Sequence, residues 1–191
     1  GYAEHNELLC AAGAEVVSFD PLTDSLPPRC AALVLPGGFP EQYPEQLSAN
    51  TALRSQIREL ATRAPVHAEC GGLTYLMSDL DGHPMCGVLA GSATFTQRLT
   101  LGYRDAVAAG DSALYAEGQR VTGHEFHRTT VQFAQPVQPA WLLRSAGNQP
   151  ASDGAVQAGV HASYLHTQPA AQPHAVRRFV EQAGRSHAAL H

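Results

Sequence analysis

Residues 65–76 read Pro-Val-His-Ala-Glu-Cys-Gly-Gly-Leu-Thr-Tyr-Leu, a short apolar strand running into a cysteine, two glycines and the start of an amphipathic helix. This order of residue types is that of a nucleophile elbow, a strand-to-helix turn so sharp that its central residue takes a strained backbone conformation and needs small neighbours. Cys70 stands at the centre, and Gly71 and Gly72 supply the small neighbours. The turn is expected to lift the Cys70 side chain into open space. A helix beginning at Gly71 sets free backbone N–H groups and the positive end of its dipole beside the sulfur, which favours thiolate over thiol. An unperturbed cysteine titrates near ~8.5, so such help matters at neutral pH.

Cysteine more often packs as a small apolar group than reacts. Cys10, Cys30 and Cys86 read that way, because none of them precedes a glycine pair at a strand end. Four cysteines with no C-x-x-C pair and no regular spacing argue against a zinc knuckle or a disulfide framework and point to a reducing cytoplasm. No signal-peptide pattern or long apolar run opposes that, and no membrane partner is expected.

Outward from the elbow, the chain alternates. Residues 3–13 read as a helix closed by Gly13, and residues 14–20, Ala-Glu-Val-Val-Ser-Phe-Asp, as a strand. Residues 31–36 form an apolar run ending in Gly37-Gly38, as expected of a strand buried on both faces of a parallel sheet. Asn50 caps a helix over residues 51–62 with Leu53, Ile57 and Leu60 at helical spacing, and Pro65 opens the strand leading to Cys70. This alternation predicts an α/β fold with a doubly wound sheet, in which ligands sit at the carboxyl ends of strands, where Gly37-Gly38 and Cys70 both fall. Residues 85–145 carry short β-like runs that predict an antiparallel β extension of the sheet. Residues 155–166 return to strand character, and a closing helix over 173–183 turns Val176, Phe179 and Val180 inward.

With 191 residues, 44% hydrophobic, and a net charge of −5, the chain has the size of one domain, residues 1–191, able to bury a full core. All 12 basic residues are arginine, so a Walker A loop, which requires Gly-Lys-Ser/Thr, is excluded. The mild acidity and lack of a basic run make nucleic acid an unexpected partner. Gly1 in place of methionine, followed directly by a helix-like segment, reads as a piece of something longer.

A thiolate that attacks an amide needs a base and two donors for the developing oxyanion. Gly38, after the strand of residues 31–36, can offer its N–H to the same crevice as Gly71; the alternative is that Gly37-Gly38 is only a tight turn. Among ten histidines, His166 is the candidate base. It stands at a strand's carboxyl end, and alternation places it with Val160, Ala162 and Tyr164, with His161 deeper on the other face as a core histidine. His5, His174, His187 and His191 read as solvated, His67 and His83 as structural or loop residues. In Gly123-His124-Glu125-Phe126-His127 the strand period sends His124 one way and Glu125 with His127 the other, which suits a cleft wall better than a metal site. Glu69 either orients a partner or bonds to the backbone.

Four segments in order, Leu-Pro-Gly-Gly-Phe-Pro-Glu at 35–41, Ala-Glu-Cys-Gly-Gly-Leu-Thr-Tyr-Leu at 68–76, Gly-His-Glu-Phe-His at 123–127 and Ala-Ser-Tyr-Leu-His at 162–166, carry a resemblance. The chain resembles the glutamine amidotransferase domain of the cobyrinate a,c-diamide synthases, a variant of the class I amidotransferases, over nearly its whole length. The resemblance implies a class I amidotransferase-like mixed sheet with a flavodoxin-like core. It implies catalytic Cys70 and His166, beside which the residues read above give an oxyanion and substrate site drawing on Gly37, Gly38, Gly71, Glu69, His124, Glu125 and His127. The implied reaction is hydrolysis of L-glutamine, with ammonia passed to an ATP- and Mg2+-dependent synthetase domain that amidates a corrinoid, cobyrinic or hydrogenobyrinic acid, in cobalamin biosynthesis. A related tetrapyrrole acceptor and a catalytically silent binding module are the alternatives. No cofactor or metal is implied for this domain itself. Family members place the synthetase domain and a first sheet strand before the segment that begins here. Ordinary class I members carry a carboxylate two residues beyond the base, where this chain has Gln168, so the resemblance supports a Cys-His dyad.

Overall fold

Residues 3–38, 42–145 and 147–189 are described by the computed structural model, together with the backbone alone of Tyr2. Phe39, Pro40 and Glu41 of the second glycine-rich segment, and His191, lie outside the described residues. The elements in chain order are α1 (Tyr2–Ala11), β1 (Leu33–Leu35), α2 (Pro44–Ala49), α3 (Thr51–Leu60), β2 (Val66–Glu69), α4 (Gly71–Leu76), β3 (Met77–Leu80) and β4 (His83–Pro84). They continue with β5 (Leu89–Ala108), β6 (Arg120–Phe133), β7 (Trp141–Arg144), β8 (Pro150–Asp153), β9 (Ala155–Gln157), β10 (Val160–Ser163), β11 (His166–Thr167) and α5 (Pro173–Ala188).

The first sheet has the order β1-β2-β10-β9, with β1, β2 and β10 parallel and β9 antiparallel. Each strand serves two cores because successive side chains alternate across it. Leu33, Leu35, Val66 and Ala68 pack with Leu53, Ile57 and Leu60 of α3 and Leu73 of α4. Val34 turns the other way, toward Leu9 of α1 and Val176 and Phe179 of α5. Helices therefore cover both faces, and the sheet is doubly wound as the alternation predicts. Asn50 caps α3, its side chain accepting from the Leu53 N–H, and the three apolar residues spaced along that helix are fully buried.

Residues 14–20 depart from expectation: they are irregular, and Val17 is exposed. A strand needs a ladder partner, and among the described residues none pairs with this segment, while β1 is hydrogen-bonded to β2 alone. The run 155–166 is likewise not one strand. It breaks into β9, a turn at 158–159, β10 and β11, and β11 joins the second sheet. His166 consequently does not share a strand with Val160 and Ala162.

The region expected to be antiparallel forms a sheet of its own, of order β11-β6-β5-β3-β4, with β7 also paired to β5 and β8 to β7; its pairs are antiparallel except β3 with β5, which are parallel. Its expected short runs merge into two long strands, the 20-residue β5 and the 14-residue β6, with a register shift between Phe95 and Thr100. No helix among the described residues is long and apolar enough to cross a membrane.

Candidate active site

Cys70 follows β2 directly with φ 54° and ψ −109°, a region costing an ordinary residue about 1–3 kcal/mol and held only where its surroundings fix it. Three features do so. The Cys70 N–H donates to the Ser163 carbonyl of β10 at 2.8 Å, and its carbonyl accepts from the Thr74 N–H of α4. A Cβ on Gly72 would stand 2.8 Å from the Leu35 Cβ and closer still to the Leu35 carbonyl oxygen. Gly72 thus lets α4 seat against β1 at the elbow. The sulfur, however, is not lifted into open space. Cys70 is only 5% exposed, because β6 passes over the elbow and the thiol donates to the Phe126 carbonyl at 3.5 Å.

His166 reaches the same place from the other sheet. It pairs in register with His124 of β6, and the two imidazoles stack with centroids 4.9 Å apart and planes 14° apart. Gly37, just beyond β1, lies against the opposite side of the ring: a Cβ there would stand 2.6 Å from His166 Nδ1. Gly38 follows in a left-handed turn at φ 77°. The ends of β1 and β2 therefore lie beside β11 and β6: Gly37 and His124 bracket the His166 ring, and the Cys70 sulfur meets β6 two residues beyond His124.

Glu69 joins the two sheets. Its Oε2 accepts from the Thr167 N–H at 3.1 Å and the Thr167 hydroxyl at 3.3 Å, and lies 3.6 Å from His67 Nε2. Its Oε1 lies 4.0 Å from His166 Nδ1. Burial pushes the Glu69 carboxyl up, but the His67 hydrogen bond and charge, the Thr167 N–H and the His166 charge outweigh it and hold the group below its ordinary range. Burial lowers the His166 pKa; the Glu69 charge opposes this, while His124 and His127 add to it. The imidazole is thereby favoured in its neutral form, as a proton acceptor requires.

The rest of the polar segment divides as strand alternation predicts. Glu125 and His127 lie on the face of β6 away from His124. Glu125 accepts from Arg104 Nε at 2.9 Å and pairs with His127 Nε2 at 3.2 Å. The His127 ring stacks on Tyr164 at 3.7 Å, and Tyr164 bonds Thr129 at 2.8 Å. His127 and Tyr164 also line a groove of about 660 Å3 that contains Asp153. Asp153 accepts the Tyr164 and Leu165 N–H groups, each at 2.9 Å, and so fixes the loop delivering His166. Sequence reasoning missed Asp153, since a carboxylate 13 positions before the base, at the end of the short strand β8, carries no periodic or spacing signal.

His5 is half-buried rather than solvated, its ring edge-on to His67 at 6.2 Å, and burial lowers its pKa to about 4. His174 packs near Tyr115 and is hydrogen-bonded to Gln119. His161 is a core residue as expected, 2% exposed. All four cysteines are free thiols. Among the described residues, no group of three or more His, Cys, Asp or Glu could hold a metal ion.

The model of the CobB/CobQ-like glutamine amidotransferase domain matches residues 2–173. The chain is 66% identical over 184 residues to the hydrogenobyrinate a,c-diamide synthase of Mycobacterium bovis, covering 96% of this chain and 40% of that protein. It is 40% identical over 189 residues to the cobyrinate a,c-diamide synthase of a Synechococcus strain, covering 94% of this chain and 41% of that protein. The chain thus spans about two fifths of the length of these relatives. A crystal structure of a glutamine amidotransferase superposes with a TM-score of 0.61 at 20% identity, over 96% of this chain and 94% of that one, and shares the fold. The mixed α/β fold is shared with glutamine amidotransferases, and the chain belongs to the CobB/CobQ-like glutamine amidotransferase domain family.

Proposed function

We propose that this domain hydrolyses L-glutamine at Cys70 and supplies the ammonia for amidation of a corrinoid. The observation that carries the reading is Glu69, which directly precedes the strained Cys70 elbow and whose Oε1 lies 4.0 Å from His166 Nδ1, so that one side chain links the two groups. The Cys70 sulfur attacks the side-chain carbonyl carbon of glutamine while His166 takes the thiol proton. The tetrahedral oxyanion rests against the N–H groups of Gly38 and Gly71. Its C–N bond then breaks, with the His166 proton passing to the departing ammonia and leaving a thioester on Cys70. Water, deprotonated by His166, attacks that thioester, and glutamate leaves as the thiol is restored.

Glu69 takes the place of the carboxylate that Gln168 cannot provide. It faces His166 Nδ1, which leaves Nε2 for proton transfer, and its charge favours the imidazolium formed during attack. Thr167 and His67 fix Glu69, making His67 a positioning residue at one remove. Stacking on His124 and contact with Gly37 restrict the ring's rotation. Glu125 and His127, bonded to each other and to Arg104, support β6 from behind rather than ligate glutamine.

The acceptor is inferred from the relatives. The 66% identity to a hydrogenobyrinate a,c-diamide synthase, against 40% to a cobyrinate enzyme, favours the hydrogenobyrinate a and c carboxylates. Their activation by ATP and Mg2+ belongs to the part of the longer protein outside this domain, since this chain has no lysine and so no Walker A loop. Four free thiols suit a reducing cytoplasm.

Incubation with a diazoketone analogue of glutamine, followed by peptide mass mapping, tests the assignment. One adduct at Cys70, with glutaminase activity abolished by Cys70→Ser, is expected. Labelling distributed over Cys10, Cys30 and Cys86, or hydrolysis persisting in Cys70→Ser, would overturn it.

A further inference from the structure

One carboxylate lies between two imidazoles. Glu69 Oε2 stands 3.6 Å from His67 Nε2, and Glu69 Oε1 stands 4.0 Å from His166 Nδ1. The first pair follows from β2 itself, because residues two apart on a strand project to one face. The second exists only because β11 of the other sheet passes the end of β2. Both imidazoles are drawn to the same negative charge, and a proton on either weakens the pull of Glu69 on the other.

His67 is only 7% exposed, and what faces its ring comes from every neighbouring element. From α1 comes His5, edge-on at 6.2 Å, and from β10 comes His161, its register partner, at 5.9 Å. On α5 the contact is Phe179 at 6.3 Å, and on β1 the register partner is Val34. Burial and then the His67 charge lower the proton affinity of both His5 and His161, to about 4 and about 3, so these two are neutral near pH 7. His67 is the member of the buried cluster that meets the carboxylate. On the catalytic side, His166 has His124 stacked against it at 4.9 Å.

We propose that His67 competes with His166 for the Glu69 charge and thereby keeps the reacting imidazole neutral, ready to take the Cys70 proton, in acid where Glu69 alone would leave it protonated. The proposal rests on the glutaminase reading and assigns His67 a role in it beyond holding Glu69 in place. A carboxylate beside a general base has two opposed effects. It stabilises the imidazolium formed during attack, and it also favours an imidazolium before attack, when the base must be free to accept. A proton held at His67 cancels part of the Glu69 charge and leaves His166 free. His67 is on this account a positioning residue, since it acts through Glu69 and touches neither sulfur nor substrate.

Glutamine hydrolysis by the full-length protein, measured across pH, tests this with His67→Gln and His67→Phe, whose side chains take up no proton. The acid limb of kcat/KM is expected to move to higher pH by about half a pH unit or more in both variants, as removal of a nearby competing charge does. This direction is opposite to that expected of Glu69→Gln. In a Glu69→Gln background the same His67 substitutions should leave the limb in place, because the charge competed for is gone. A residue that only supports the fold would lower the plateau and leave the limb where it is, and one that only holds Glu69 would move the limb to lower pH. Either result overturns the proposal, as does an equal shift in the two backgrounds. Histidine-selective NMR of the full-length Cys70→Ser protein reads the competition without turnover, in the His166 resonance identified by its loss in His166→Gln. Its titration midpoint should rise in His67→Gln, and an unchanged or lower midpoint overturns the proposal. Failure of the glutaminase reading is separately visible as hydrolysis that survives Cys70→Ser.

Discussion

Glu69 Oε1 lies 4.0 Å from His166 Nδ1, while its other oxygen is held by the Thr167 N–H and hydroxyl. The residue before the nucleophile thus reaches across to the imidazole and anchors the residue after it. The separation is Coulombic rather than a hydrogen bond, and the Glu69 charge raises the His166 pKa against the lowering caused by burial. Glu69→Gln is expected to reduce kcat for glutamine hydrolysis by about 10²-fold, within the range for loss of an orienting carboxylate. It should also move the acid limb of the pH–rate profile to lower pH, because the group that raises the proton affinity of His166 is gone. A steady-state profile distinguishes this from a structural role, which would lower kcat and leave the limb in place.

Gly37 carries a different expectation. A methyl group there would enter the space of the His166 ring, 2.6 Å from Nδ1, well inside van der Waals contact. Gly37→Ala should turn the imidazole away from the crevice and cut glutaminase activity by about 10²-fold or more, the usual contribution of a positioned base. Since the ring is only half-buried, it can move without unfolding the domain, and thermal melting should change little. A large fall in Tm would contradict this.

Gly72 is predicted to do the reverse. Its added Cβ meets backbone of β1 and the Leu35 Cβ at 2.8 Å, and neither can move without displacing the sheet. Gly72→Ala should destabilise the domain by about 3 kcal/mol, at the upper end of the overpacking range. For a domain of this size that corresponds to a Tm lower by roughly 6–12 °C, readable by calorimetry.

Asp153 binds the Tyr164 and Leu165 N–H groups with separate oxygens, so it holds the loop through which β10 hands the chain to His166. Asp153→Ala strands two buried donors, at about 1–3 kcal/mol each, and Asp153→Asn strands one. Chemical denaturation should therefore rank the stabilities wild type, Asn, Ala. Turnover should fall in the same order as His166 loses its support.

The elbow and the layered α/β core were legible in the sequence because they rest on local signals: a Cys-Gly-Gly turn, apolar runs ended by glycine, and an Asn50-capped helix with three apolar residues in phase. The failures were failures of partnership. Residues 14–20 have the composition of a strand but no ladder partner among the described residues. His166 ends the run read as a strand but stands on β11 of the second sheet, because Asp153 holds the Tyr164 and Leu165 N–H groups and the run breaks there. The role of Glu69 was only half visible. Its adjacency to Cys70 could be read, whereas its contacts with Thr167 and His166 span nearly a hundred residues and exist only once two sheets meet.

The same burial that isolates the site makes stability depend on pH, with two opposing signs. Burial lowers His161 to about 3, and neither ring nitrogen has a hydrogen-bond partner among the described residues. The unfolded chain then binds more protons than the folded one between pH 3 and the ordinary histidine value of 6.5, so this contribution is intact above that window and lost as pH falls through it. His5, lowered to about 4, acts in the same direction. Asp153 is raised by burial to about 6, against its two backbone hydrogen bonds, so its folded state holds the extra proton and stability declines as pH rises from about 4 to 6. Two histidines outweigh one aspartate, and the domain should weaken on acidification. His161→Leu removes the unpaired nitrogens, which should leave stability at pH 7 unchanged or higher by up to about 2 kcal/mol. It should also reduce the loss between pH 7 and pH 4 by about 3 kcal/mol. Urea titrations at the two pH values check this; an acid loss equal to that of the wild type would show that the buried imidazole does not carry it.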